Sequence, residues 1–124
     1  KSCGDPDGEL NLALQRGLVY WRESFFLADG WPKYYDDALY PADTHAAATA
    51  IVTSVELSEI DQSLASLAER VATWSIDHLR DPAGFFYYQK RRRYVVRTPF
   101  MRWSQAWMLY ALARLLEVTA KPDV

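Results

Sequence analysis

FFLADGWPKYYDDALYPADTHAAATAIVTSVEL, residues 25–57, and FFYYQKRRRYVVRTPFMRWSQAWMLYALARLLE, residues 85–117, decide the fold. Each opens on a double phenylalanine, passes through a loop dense in aromatic side chains, and ends in an alanine-rich segment that is apolar almost all round. Under a shift of about 60 residues, Phe25 and Phe26 fall on Phe85 and Phe86, Tyr34 on Tyr94, Tyr40 on Phe100, Thr44 on Ser104, His45 on Gln105 and Ala46 on Ala106. Self-similarity at a fixed period marks a supersecondary unit that buries its apolar face only against a neighbouring copy.

An amphipathic segment precedes each stretch. Leu10, Leu14, Leu18 and Trp21 recur at helical spacing, which predicts a helix over about 9–24. Leu64, Leu67, Val71, Trp74 and His78 form a second such stripe, with Glu69, Arg70 and Asp77 on the wet side and Ser58 or Asp61 as cap, over about 60–80. Gly30, Pro32 and Pro41 rule out one continuous helix through the first aromatic loop. Helices are predicted at about 43–57 and 99–117, the latter with Thr98 as cap and Pro99 in its first turn. Aromatic and β-branched residues alternate around a basic turn from Phe85 to Arg97, as in a β-hairpin.

The expected fold class is therefore all-α: a single domain over 1–124, with a flexible lead-in at 1–8, repeat one at 9–57, repeat two at 60–117 and a tail at 118–124. Helices one and three should form an outer layer with one wet face. Helices two and four should form an inner layer covered on both sides.

Half of the 124 residues are hydrophobic, enough for one sizeable core. The formal net charge of -2 supplies no global positive field for a polyanion, so nucleic acid is not an expected partner. Cys3 is the only cysteine, which excludes an intramolecular disulfide, a CxxC redox pair and a zinc cluster, and suggests a cytoplasmic setting. No apolar run approaches the ~18 residues of a transmembrane span, and the first ten residues lack the organisation of a signal peptide. A chain opening on Lys1 is expected to be processed or trimmed. Without a P-loop, GxSxG, HExxH, acidic metal motif or dinucleotide glycine pattern, no cofactor and no metal is expected.

The segments YPADTHAAATAI (residues 40–51) and GFFYYQKRRRYVVRTPFMRWSQAWMLYALARLL (residues 84–116) resemble the α/α-toroid proteins of bacterial polysaccharide-biosynthesis clusters, relatives in fold of six-hairpin glycosidases and terpenoid cyclases. The chain is similar to the C-terminal two repeats of that family, which implies an arc of a toroid. In such toroids the loops between outer and inner helices rim the cavity. The resemblance thus implies a saccharide or acidic-sugar site formed by Trp31, Tyr35, Asp36, Tyr88, Arg97, Arg102 and Gln105.

Sugar rings stack on indole and phenol faces, and carboxylates and guanidinium groups bind hydroxyls or acidic substituents, so these residue types suit that ligand. Asp43 and His45 are the candidates for acid–base chemistry. Each also has a plain structural alternative: Asp43 as the cap of helix two, and His45 as a buried polar residue whose repeat partner, Gln105, cannot shuttle protons.

Three functions follow from the sequence. The first is a carbohydrate-binding or carbohydrate-processing module. The second is a non-catalytic helical module that associates with itself or with another protein. The third is an isoprenoid-binding or cyclase-like fragment, for which the acidic diphosphate motifs are missing. Apolar residues surround more of helices two and four than neighbours within one chain can cover, which predicts a homodimer or higher oligomer. A two-fold pairing of the inner layers ranks first, and a head-to-tail ring second.

Overall fold

A computed structural model describes residues 4–120; Cys3 and the end of the tail lie outside the described residues. Four helices alternate with loops, in the order α1 (Glu9–Phe25), β1 (Ala42–Asp43), α2 (Thr44–Glu56), α3 (Ser63–Leu79), β2 (Gln89–Lys90), β3 (Val95–Val96), a π-helical turn (Met101–Gln105) and α4 (Ala106–Thr119). The protein is mainly helical with a small three-stranded antiparallel sheet.

The sheet joins the two aromatic loops. The hairpin expected at 85–97 forms as β2 and β3, with Gln89 opposite Val96 and Lys90 opposite Val95. A third strand that the sequence did not reveal, β1, pairs with β2 through Ala42 opposite Lys90 and Asp43 opposite Gln89. Two residues carry no period, so β1 is invisible to a pattern search.

Helix α2 is the centre of the molecule, with α3 on one flank and α4 on another. Its Ala47, Ala48, Ile51 and Val55 are buried with Leu64, Leu67 and Val71 of α3 and Met108 and Ala111 of α4. The alanines allow close approach of the neighbouring helices, which is why an all-round apolar segment ends up enclosed. Polar residues fasten its ends. The Asp43 carboxylate accepts from the Ala46 N–H at 2.9 Å, capping α2, and Glu56 near its C-terminus pairs with Arg114 of α4 at 2.6 Å.

Both amphipathic helices start near an acid. The Asp5 carboxylate accepts from the Leu10 and Asn11 N–H groups at 3.1 and 3.0 Å, so the end of the expected lead-in is anchored on α1. Asp61 accepts from the Ser63 N–H at 3.0 Å and from Arg22 of α1 at 2.5 Å, tying α1 to the start of α3. These hydrogen bonds, those of Ser63 foremost, hold the Asp61 carboxyl below its usual range.

The repeat is real in the backbone, but its offset is not constant. After α1, the Gly30 N–H bonds to Leu27 O, the Leu27 N–H to Trp31 O and the Lys33 N–H to Phe25 O. After α3, the Gly84 N–H bonds to Asp81 O, the Asp81 N–H to Phe85 O and the Tyr87 N–H to Leu79 O. The same turn thus recurs 54 residues on, and α1 and α3, each 17 residues long, begin and end 54 residues apart. Phe25 corresponds to Leu79, so the match of Phe25 and Phe26 to Phe85 and Phe86 is a coincidence of sequence. The longer second aromatic loop supplies the larger spacing seen between the alanine-rich segments.

The expected layering needs two further corrections. Helix α1 is open: of its residues only Leu18 is buried, while Leu10, Leu12 and Leu14 are exposed. Helix α4 is covered on one side only, with Leu109, Tyr110 and Leu116 in solvent. Thr98 and Pro99 precede the π turn rather than starting the helix, and Phe100 takes the cap position without a side-chain bond. His78, placed on the apolar stripe by its spacing, is exposed and stacks on Trp74 at 4.5 Å. No helix among the described residues is long and apolar enough to cross a membrane.

Candidate functional site

The π turn sets the geometry of the most site-like surface. Its wider winding inserts an extra residue ahead of α4, and such turns are frequent at functional positions. Trp103 projects from this turn, and Trp107 and Tyr110 follow at helical spacing. The ring of His45, in the first turn of α2, lies 6.1 Å from that of Trp103 and 5.4 Å from that of Trp107, both edge to face. Trp107 in turn meets Tyr110 at 6.2 Å. Arg102 stands 5.8 Å from the Trp103 ring centre and, with Ala106, Trp107 and Tyr110, lines a shallow cleft of about 270 Å³.

Two exposed indoles that meet the same imidazole are unusual, because their area ordinarily drives them into a core. Trp103 is 51% exposed and Trp107 38%. An exposed aromatic platform beside an imidazole and a guanidinium has the chemistry to stack a ring and bind its polar substituents.

Other residues expected at the site are engaged elsewhere. The second Asp43 oxygen accepts from Gln89 Nε2 at 2.6 Å, and Gln89 Oε1 accepts from Arg91 at 2.8 Å. With one oxygen capping α2 and the other holding β2, the buried Asp43 acts as a clamp between the repeats. Gln105 is a clamp as well: its amide oxygen accepts from the Phe86 N–H at 2.9 Å and its amide nitrogen donates to Phe86 O at 2.6 Å. Neither group is left free for a ligand.

Trp31 packs against Tyr40 at 5.2 Å and Trp74 at 5.0 Å, while its indole N–H donates to Leu39 O at 3.0 Å. Asp36 accepts from the Tyr20 hydroxyl, a bond that raises the Tyr20 pKa, and Tyr35 is exposed beside Tyr34. Tyr88 packs on Phe100 at 5.0 Å. Arg97 lies over Tyr87, whose hydroxyl donates to Asp81 at 2.9 Å and is raised in pKa chiefly by that bond.

The structure therefore brings together His45 and Arg102 but places Trp31, Tyr35 and Asp36 in a separate set of contacts. Trp107 and Tyr110, absent from the expected site, belong with the first group. Part of the signal for them was present: Trp107 and Tyr110 stand at i and i+3 on a helix with one alkyl side and one aromatic side.

A larger cleft of about 520 Å³ lies between α1 and α2, lined by residues such as Leu14, Leu18, Trp21, Ala50 and Leu57. Small and alkyl side chains make up most of its walls, and Trp21, Phe25, Phe26, Lys33 and Tyr34 complete them. Among the described residues no group of three or more His, Cys, Asp or Glu side chains is arranged to hold a metal ion. No family model matches the chain, and no curated protein or solved structure matches it.

Proposed function

We propose that this protein is a carbohydrate-binding module whose ligand stacks on Trp103 and Trp107, with His45 and Arg102 binding the polar edge of the sugar. The observation that carries this reading is the pair of exposed indoles flanked by an imidazole and a guanidinium. The resemblance to polysaccharide-biosynthesis toroids agrees with it, and two repeats of helix, aromatic loop and helix suit an arc of such a ring. Arg102 favours an acidic sugar, since a guanidinium can bind a carboxylate through two parallel hydrogen bonds.

Binding is favoured over turnover. Hydrolysis of a glycosidic bond needs two carboxyl groups about the scissile bond, and Asp43 is committed to the backbone of α2 and to Gln89. His45 then serves as a polar contact of the platform.

Uronate-containing and neutral oligosaccharides titrated into the protein should quench its tryptophan fluorescence, the uronates more strongly. Trp107→Ala should abolish the response and Arg102→Gln should erase the preference for acid. Trp31→Phe should keep both. Quenching that survives in Trp107→Ala, or no response from any oligosaccharide, contradicts the proposal.

A further inference from the structure

The internal repeat supplies a template for what covers the open face of α1. In α3, Leu64, Leu67, Ala68, Val71 and Ser75 are buried, and α3 packs on α2. At 54 residues' remove, the same positions in α1 are Leu10, Ala13, Leu14, Gly17 and Trp21, and all but Leu10 line the large cleft beside α2. A helix standing to α1 and α2 as α2 stands to α3 and α4 would fill that cleft.

The other end of the molecule shows the matching half. Leu109 and Leu116 of α4 are 73% and 66% exposed, and with half-buried Leu112 they form a stripe at i, i+3 and i+7, apart from the aromatic side that faces His45. The turns repeat the pattern. A Cβ on Gly30 would sit 2.4 Å from the Arg70 carbonyl oxygen, so the first turn is pressed on the backbone of α3. Its counterpart Gly84 meets nothing within 4 Å, and the residue 54 positions before Arg70 is Arg16 on α1.

We infer that copies of this chain associate head to tail: α4 of one copy enters the α1–α2 cleft of the next, and the Gly84 turn of the first meets α1 of the second near Arg16. The junction between copies then repeats the junction between the two halves of one chain. A two-fold dimer of inner faces, by contrast, leaves the α1 cleft unfilled, because the open apolar surfaces lie on α1 and α4 and are different from each other. A heterologous contact of this kind grows into a chain or closes into a ring.

Sedimentation equilibrium tests this with Leu14→Glu, which spoils the cleft, and Leu109→Glu, which spoils the stripe. Both positions are solvent-exposed in the single chain, and circular dichroism confirms folding. The wild-type protein should show a mass that rises with concentration beyond a dimer, and each variant should sediment as a 14.3 kDa monomer. An equimolar mixture of the two variants should recover a one-to-one dimer of wild-type affinity, since one intact cleft meets one intact stripe. Gly84→Asn, which strains the turn backbone and whose folding circular dichroism must confirm, should block assembly by crowding the neighbour's backbone. A wild-type monomer at submillimolar concentration, a mixture that stays monomeric, or Gly84→Asn assembling like wild type overturns the proposal.

Discussion

Leu10 and Leu64 are the same residue at the same place, second in helices of equal length that start 54 positions apart, yet Leu10 is 65% exposed and Leu64 is fully buried. The two helices share stripe, length and following turn. What differs is the neighbour, since α3 packs on α2 while α1 faces an open cleft. Amphipathic periodicity states which side of a helix can be buried; only the tertiary partner determines whether it is.

The strongest contrast should come from truncating those two leucines. Leu64→Ala should cost about 2–5 kcal/mol in urea unfolding, the range for a leucine removed from a packed core. Leu10→Ala should stay within about 0.5 kcal/mol at dilute concentration, as at an ordinary surface position. Similar losses at both would mean that α1 is as well packed as α3, and the contrast would break.

The two turns sharpen the comparison at a smaller scale. Both glycines have positive φ, +97° at Gly30 and +106° at Gly84, so alanine costs about 1–2 kcal/mol of backbone energy at either. At Gly30 the added carbon also collides with the Arg70 carbonyl, which should add roughly 1–3 kcal/mol of overpacking. Thermal melts of Gly30→Ala and Gly84→Ala should therefore separate clearly, with Gly30→Ala the lower.

The smallest effect concerns Asp61, which links α1 to α3. Its folded-state pKa is depressed, so its stabilisation is present above the ordinary carboxylate range and is lost as the pH falls through and below that range. The difference in stability between the wild type and Asp61→Asn should be visible at neutral pH and vanish in acid. A difference that persisted below the folded pKa would show that the stabilisation does not depend on the ionised carboxylate.

Helix existence was legible because the four periodic segments are long, and the enclosure of α2 was legible because almost no side of it carries charge. The offset of the repeat was not. The two double phenylalanines set a shift of 60, whereas Gly30 and Gly84, 54 residues apart, are the pair that shares a backbone requirement, the left-handed conformation at a tight turn. The π turn was hidden as well, since one extra residue per turn leaves no compositional mark, and without it the phase of Trp103 against Trp107 cannot be set.

At the candidate site, residue type pointed to aromatic and basic side chains but not to which of them meet. Gln105 was expected among the ligand contacts from the resemblance, whereas its amide is spent on both backbone groups of Phe86. Asp43, weighed against a capping role in the sequence, serves as the cap and also binds Gln89 from the other loop, a partner 46 residues away that no local pattern contains.

Native-state hydrogen exchange, followed amide by amide, tests most directly the claim that α1 is an uncovered counterpart of α3. At dilute, monomeric concentration the interior amides of α3 should exchange only through global unfolding, and those of α1 through local opening at much lower free energy. Raising the protein concentration should slow exchange in α1 as a neighbouring copy fills the cleft, and should slow α3 only as far as association stabilises the whole fold. Equal protection of α1 and α3 in the dilute protein, or no gain in α1 on concentration, would contradict it.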